Sequence, residues 1–288
     1  MNKQIVLIAG LLLLILSSLC GCGDTVKIAD VWVEPGAESL ILTGRKLSKS
    51  DLKKLSGQTE LKELSLEHTN ITDLSCLSGM AKLEDLNLWR CTLQDLTPLA
   101  NLAELRKLSI SADDTDISAL SELNKLKELH ITGSVKDLSP LSELPELSYL
   151  GLNNPSGNLS ALSGLQNLNS LWINSSEDID VSAVSKLHNL ESLTLHTDMS
   201  DLEPLSGLTG LKRLDILEIT DDLSPLYGLE NLEELSIRGD NADVSGLSVL
   251  ENLKKLTIQS HMPDLDSIQM LEEKLPELVI DLPGTAGV

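Results

Sequence analysis

The sequence predicts an α/β solenoid: an arc with one parallel β-sheet on its concave face and short helical or 3-10 turns on its convex face. Three observations predict it. From Leu61 to Lys82 the chain reads LKELSLEHTNITDLSCLSGMAK, and the pattern restarts at Leu83, Leu105, Leu126, Leu147, Leu168, Leu190, Leu211, Leu232 and Leu253, in steps of 22 or 21 residues. Inside each copy an LxL pair alternates apolar with polar, which is the period of a strand. An acid then recurs ahead of a second apolar cluster, at the point where the chain must turn back.

Met1 to Gln4 is a short n-region with one positive charge, and Ile5 to Leu16 is almost wholly apolar. That run suits a signal peptide and is short for a membrane span. Leu19-Cys20-Gly21-Cys22 follows directly. It resembles the bacterial lipobox, with a leucine three residues before a cysteine and a small residue just before it. The resemblance implies a signal peptide over 1–21 and lipid attachment at Cys22. Cys20 fits less well, because Leu19 would then hold the small-residue place. An ordinary secreted protein and an uncleaved anchor are the alternatives.

Residues 22–36 read as a lipid-anchored leader, 37–281 as the repeat domain with its caps, and 282–288 as a tail. The alternation of Val26, Ile28, Val31 and Val33 predicts a short strand, with Trp32 in the core of the cap. Leu40 and Leu42 begin a divergent first repeat, and Ser50-Asp51 opens a short helix carrying Leu52 and Leu55. Residues 24–60 thus cover the first open end, as a solenoid requires. In the ten repeats that follow, the first leucine and the LxL pair point inward, as Leu61, Leu64 and Leu66 do in the opening copy. Ile71, Leu74 and Leu77 close the core from the other wall. The chain contains no Phe, so this core rests on Leu, Ile and Val. At the far end Ile268, Leu271 and Leu275 have helical spacing, Pro276 stops the helix, and Leu278 to Ile280 reads as a last strand.

The recurring acid is Asp73, Asp95, Asp116, Asp137, Asp180, Asp201, Asp222, Asp243 and Asp264, with Asn158 in the fifth repeat. A carboxylate stack suggests calcium. A capping role is stronger, because Asp accepts from the free amides of a first helical turn and Asn158 can do so without charge. No CxxC or Cys/His set has zinc spacing. We therefore expect no metal and no cofactor. Cys76 and Cys91 fall on different faces of the repeat and are expected as two free thiols.

The repeat LxxLxL followed by DLSxLxxL resembles the short leucine-rich repeats of bacterial internalin-type surface proteins, over roughly residues 37–281. The resemblance implies a leucine-rich-repeat horseshoe that binds proteins on its concave face. One departure stands out. The family often buries an asparagine after the strand, whereas aligned positions here hold Thr69, Cys91, Asp113, Ser134, Pro155, Ser176, Asp198, Ile219, Asp240 and His261. A looser ascending loop is expected.

The repeat assigns three rows to the concave face: the residues before, between and after the two leucines of LxL. Aromatics make up 2% of the chain, yet Tyr149, Trp172 and Trp89 all fall in these rows. Together with His130, Asn153, Asn174, His196, Arg213 and Arg238 they are the candidate ligand-binding residues. Exposed Trp and Tyr favour interfaces and also stack on sugars. The competing reading is that Trp172 only covers its small neighbour Gly151.

The formal charge of −22 repels nucleic-acid phosphates and anionic lipid heads. The five histidines, His68, His130, His188, His196 and His261, sit in no motif with a nucleophile or a metal partner, and no Gly-rich phosphate loop follows a strand. The sequence thus points to a non-enzymatic, monomeric surface protein. It is expected on the extracytoplasmic face of the cell membrane, touching the bilayer through its lipid only, with a protein or glycan ligand. An envelope spacer without a ligand and a weak calcium-binding module are the alternatives.

Overall fold

The structure, a computed structural model, describes residues 25–156, 159–176, 179–197, 201–217, 222–240, 242–260 and 262–282. The signal peptide, Cys22, Asn158, Asp198, Ile219, His261 and the tail from 283 lie outside the described residues.

The repeats build one twelve-stranded parallel sheet. Its strands are β3 (Ser39–Ile41), β4 (Glu63–Ser65), β5 (Asp85–Leu88), β6 (Lys107–Ser111), β7 (Glu128–Thr132), β8 (Tyr149–Asn153), β9 (Ser170–Asn174), β10 (Ser192–His196), β11 (Arg213–Ile216), β12 (Glu234–Arg238), β13 (Lys255–Gln259) and β14 (Val279–Asp281). Each strand pairs only with its neighbours in the chain. The pairing is in repeat register: Leu129 faces Leu150, and Leu150 faces Leu171. Every inward leucine therefore stacks on its counterpart. Leu61, Leu64, Leu66, Ile71, Leu74 and Leu77 are all buried, as the opening repeat requires.

The convex wall consists of single 3-10 turns such as Ser75–Leu77, Thr97–Asn101 and Ser139–Glu143. The acid precedes the cap position by one residue, because the buried Leu74, Leu96 or Leu138 occupies it. The carboxylate instead accepts the amide two residues on: Asp73 from Ser75, Asp95 from Thr97 and Asp137 from Ser139, each at 2.8 Å. These bonds hold the three carboxyls below their ordinary range. Asp264 is a true N-cap, accepting from Asp266 and Ser267 at the start of the helix Leu265–Lys274. Among the described residues no group of three or more His, Cys, Asp or Glu converges to hold a metal.

The two ends differ from the sequence reading in detail. The leader forms an antiparallel hairpin of β1 (Val26–Ile28) and β2 (Val31–Val33), where a single strand was expected. Ala29 and Asp30, at φ 44° and 69°, make the two-residue turn that fits the twist of paired strands. Asp51 holds this turn by accepting the Ala29 amide at 3.1 Å. Ile28 and Val33 are buried, but Trp32 is 66% exposed and is not in the cap core. In the hairpin it pairs with Lys27, on the face opposite Ile28. Ser48, not Ser50, caps the helix Lys49–Leu55, in a reciprocal box with Asp51. The last strand begins one residue later than expected.

The ascending loops bury a small or polar residue by two routes. In the first two repeats His68 and Arg90 take positive φ, and the next residue, Thr69 or Cys91, turns inward. The Cys91 thiol donates to the Leu66 carbonyl at 3.1 Å. The fifth repeat follows the same route, with Asn154 at φ 52° and Pro155 buried. Other repeats bury the residue one place earlier: Ser175 in place of Ser176, Thr197 in place of the 198 position, Ser260 in place of the 261 position. Asp113 is exposed, with Ala112 buried beside it. An amide ladder does exist, but before the first leucine of the repeat. Asn167, Asn189, Asn231 and Asn252 each donate to a carbonyl one repeat back, those of Pro145, Gln166, Thr209 and Glu230, at 2.6–2.8 Å.

Candidate functional site

The strand register places the three concave rows where the repeat puts them. The first row runs Glu63, Asp85, Lys107, Glu128, Tyr149, Ser170. The middle row runs Asn87, Ser109, His130, Gly151, Trp172, Thr194. Strand alternation sends these side chains away from the core, and the sheet holds their backbones rigidly.

Gly151 organises the centre. A β-carbon there would lie 2.8 Å from His130 Nδ1 and 3.4 Å from Tyr149 Cε1. The missing side chain lets the His130 imidazole settle over β8, where it packs on Tyr149 with ring centroids 4.7 Å apart. The nearest group over Gly151 is thus His130, with Trp172 beside it on the next strand. Trp172 stands half-buried and meets His196 edge to face at 6.4 Å. The space between is a groove of about 270 Å³, lined by Asn87, Trp89, Ser109, His130, Thr132, Gly151, Asn153 and Trp172. Asn87 accepts the Trp89 amide at 2.9 Å, which fixes the backbone at the rim. The Arg90 guanidinium lies 4.4 Å above the Trp89 ring and extends that wall. Desolvation by the surrounding sheet holds the His130 imidazole below its ordinary range, so it is neutral at pH 7.

Four of the candidates, Trp89, His130, Asn153 and Trp172, therefore meet in one groove. Tyr149 backs it through His130. Asn174 backs it by donating to Asn153 at 2.9 Å. His196 supports Trp172 from the other side. The two arginines lie elsewhere. Arg213 lines a second concave groove of about 250 Å³ with Asp215, Glu234 and Lys255. Arg238 is exposed and donates to Gln259 at 2.7 Å, outside both grooves.

The rows did not flag Asp215. His196 Nε2 lies 3.3 Å from Asp215 Oδ2, but neither that nitrogen nor Asp215 Oδ1 makes a hydrogen bond, although both atoms are shielded from solvent. This pair sits between the two grooves. Its signal in the sequence is weak, because Asp215 belongs to the middle row and His196 to the last row of the previous strand. Such a diagonal contact depends on side-chain direction.

Comparison with known proteins agrees with this fold. A model of leucine-rich repeats, two copies long, matches residues 59–101. No curated protein matches the chain. Among solved structures, an internalin (inlF) from Listeria monocytogenes is 23% identical and superposes with a TM-score of 0.53, over 90% of this chain and 91% of that one. A second Listeria monocytogenes internalin, C2, is 25% identical with a TM-score of 0.54, over 62% of this chain and 80% of its own. A leucine-rich-repeat protein of Leptospira interrogans is 18% identical with a TM-score of 0.50, over 79% of this chain and 62% of that one. The chain has the leucine-rich-repeat fold.

Proposed function

We propose that this protein is a non-enzymatic binding module, held by lipid on Cys22 at the extracytoplasmic face of a bacterial membrane, whose concave sheet takes a protein or glycan ligand. The observation that carries this reading is the groove over Gly151. Two half-buried tryptophans and a neutral imidazole converge there on a floor with no side chain. Aromatic anchors around a concave recess suit the burial of an apolar side chain or the face of a sugar ring. A half-buried aromatic surface left open on a concave face is the kind a ligand covers. The likeness to internalins supports the same reading.

The test is capture by the full chain, in detergent, of purified wall polymers and secreted proteins of the producing bacterium, followed by Kd measurement on what is captured. Trp172→Ala and Gly151→Val should each weaken binding about tenfold or more. Glu63→Ala, in the opening repeat, should leave Kd unchanged. Equal affinity in Trp172→Ala, or no ligand at all, would favour an envelope spacer. The anchor is tested separately: Cys22→Ala should abolish palmitate labelling. A variant that is still labelled, or a wild-type chain that never is, would sink the lipid attachment while leaving the groove untouched.

A further inference from the structure

We propose that the outer face of the N-terminal cap docks onto an anionic lipid bilayer, with Trp32 at the headgroup boundary and the lysines of the cap against the headgroups. The charge distribution points there. Residues 24–60 hold six basic side chains, Lys27, Arg45, Lys46, Lys49, Lys53 and Lys54, and six acids, Asp24, Asp30, Glu34, Glu38, Asp51 and Glu60. This cap is neutral in a chain whose formal charge is −22, and Glu38 and Glu60 are engaged by Lys62 and Lys82 outside it. The expectation of lipid-only contact rests on the whole-chain charge.

Lys27, Lys54 and Arg45 gather at the hairpin that carries Trp32, where Lys27 also pairs with Asp30 at 2.9 Å. Lys27 pairs with Trp32 across the hairpin, and its ammonium lies 5.8 Å from the ring centroid. Lys54 Nζ donates to the Lys27 carbonyl at 2.8 Å, and Arg45 Nη1 donates to the Ala29 carbonyl at 3.1 Å. Lys49 and Lys53 share one stripe of the helix Lys49–Leu55, four residues apart. Along the solenoid flank lysines are neutralised across repeats, as Lys82 is by Glu60, Lys125 by Glu104 and Lys212 by Glu191. Lys46, Lys49 and Lys53 are exposed, and among the described residues no carboxylate pairs with them. These ammonium groups are left for an external anion.

A membrane is the occupant that fits. Tryptophan beside lysine is the pairing favoured at a bilayer interface, and basic clusters are drawn to anionic leaflets. The apolar run Ile5 to Leu16 lies immediately upstream. Trp32 lies ten residues beyond Cys22, so a lipid there would keep it within about 35 Å of the membrane. The docking does not require that lipid, since an uncleaved leader would hold the cap equally close. The acidic repeats are repelled by the same surface, which would stand the arc upright with its concave face clear of the bilayer.

The experiment inserts the full chain in vesicles of acyl-brominated phosphatidylcholine, with or without phosphatidylglycerol, and reads tryptophan quenching. We expect quenching that needs phosphatidylglycerol, is lost in Trp32→Phe and survives in Trp89→Phe and Trp172→Phe. Lys49→Glu with Lys53→Glu, or added salt, should return it to the phosphatidylcholine level. Circular dichroism checks that each variant is folded. Quenching in Trp32→Phe equal to wild type, or the same quenching without phosphatidylglycerol, overturns the proposal.

Discussion

Asp85 shows how the concave face treats a single charge. It sits in the first row between Glu63 and Lys107. Partial burial pushes its carboxyl above the ordinary range, and the Glu63 and Glu128 carboxylates add to that. Lys107 opposes the shift but spends its ammonium on Glu128 at 2.8 Å. A carboxyl with a raised folded-state pKa costs stability when ionised, and that cost fades as pH falls through the folded value. Asp85→Asn should therefore raise the melting temperature at pH 7, and the gain should vanish below about pH 4, where the unfolded carboxyl is also protonated. Melting curves at the two pH values check it. The site was legible at this scale only in part. The rows gave Trp89, His130, Asn153 and Trp172, because strand alternation assigns a face from position alone. They could not give the His130–Gly151 contact or the His196–Asp215 approach, which depend on how side chains lean between strands.

At the scale of the element, the repeat sets almost everything the core needs. Leu150, in the middle of the sheet, is fully buried between Leu129 and Leu171. Leu150→Ala should cost about 2–5 kcal/mol, because rigid neighbours on both sides prevent collapse of the cavity. Urea denaturation measures it. The strands and convex turns were legible because a leucine at a fixed spacing has one way to be buried. The ascending loops were not. Whether the inward residue is Thr69 or, one place earlier in its own repeat, Ser175 depends on whether His68 or its counterpart enters the left-handed region; Asn154 signals that in the fifth repeat, but His68 and Arg90 do not. The cap hairpin escaped for the same reason: its turn uses Ala29 and Asp30, not Asn-Gly, so Trp32 read as core when it faces out.

The whole molecule is ordered by its charge as much as by its leucines. Acid predominates along the repeats, the first cap is neutral with exposed lysines at Lys46, Lys49 and Lys53, and the grooves open on the concave side between the ends. The overall arc followed from the sequence because a period of 21 or 22 residues leaves one way to stack. The polarity between cap and body was hidden in the single figure of −22 and emerged once Lys27, Lys49, Lys53 and Lys54 had positions.

The strand order carries a kinetic consequence. Since β3 to β14 lie side by side in the order of the chain, no strand waits for a partner made much later. Contact order stays low however many copies are added. A polypeptide emerging from a ribosome or a membrane pore, amino end first, can thus lay down its hairpin and helix as a seed. Each new repeat then condenses on the last, and the unfinished edge is never more than one repeat from its next strand. Assembly of this kind is vectorial, and it leaves little chain exposed to aggregation during transit.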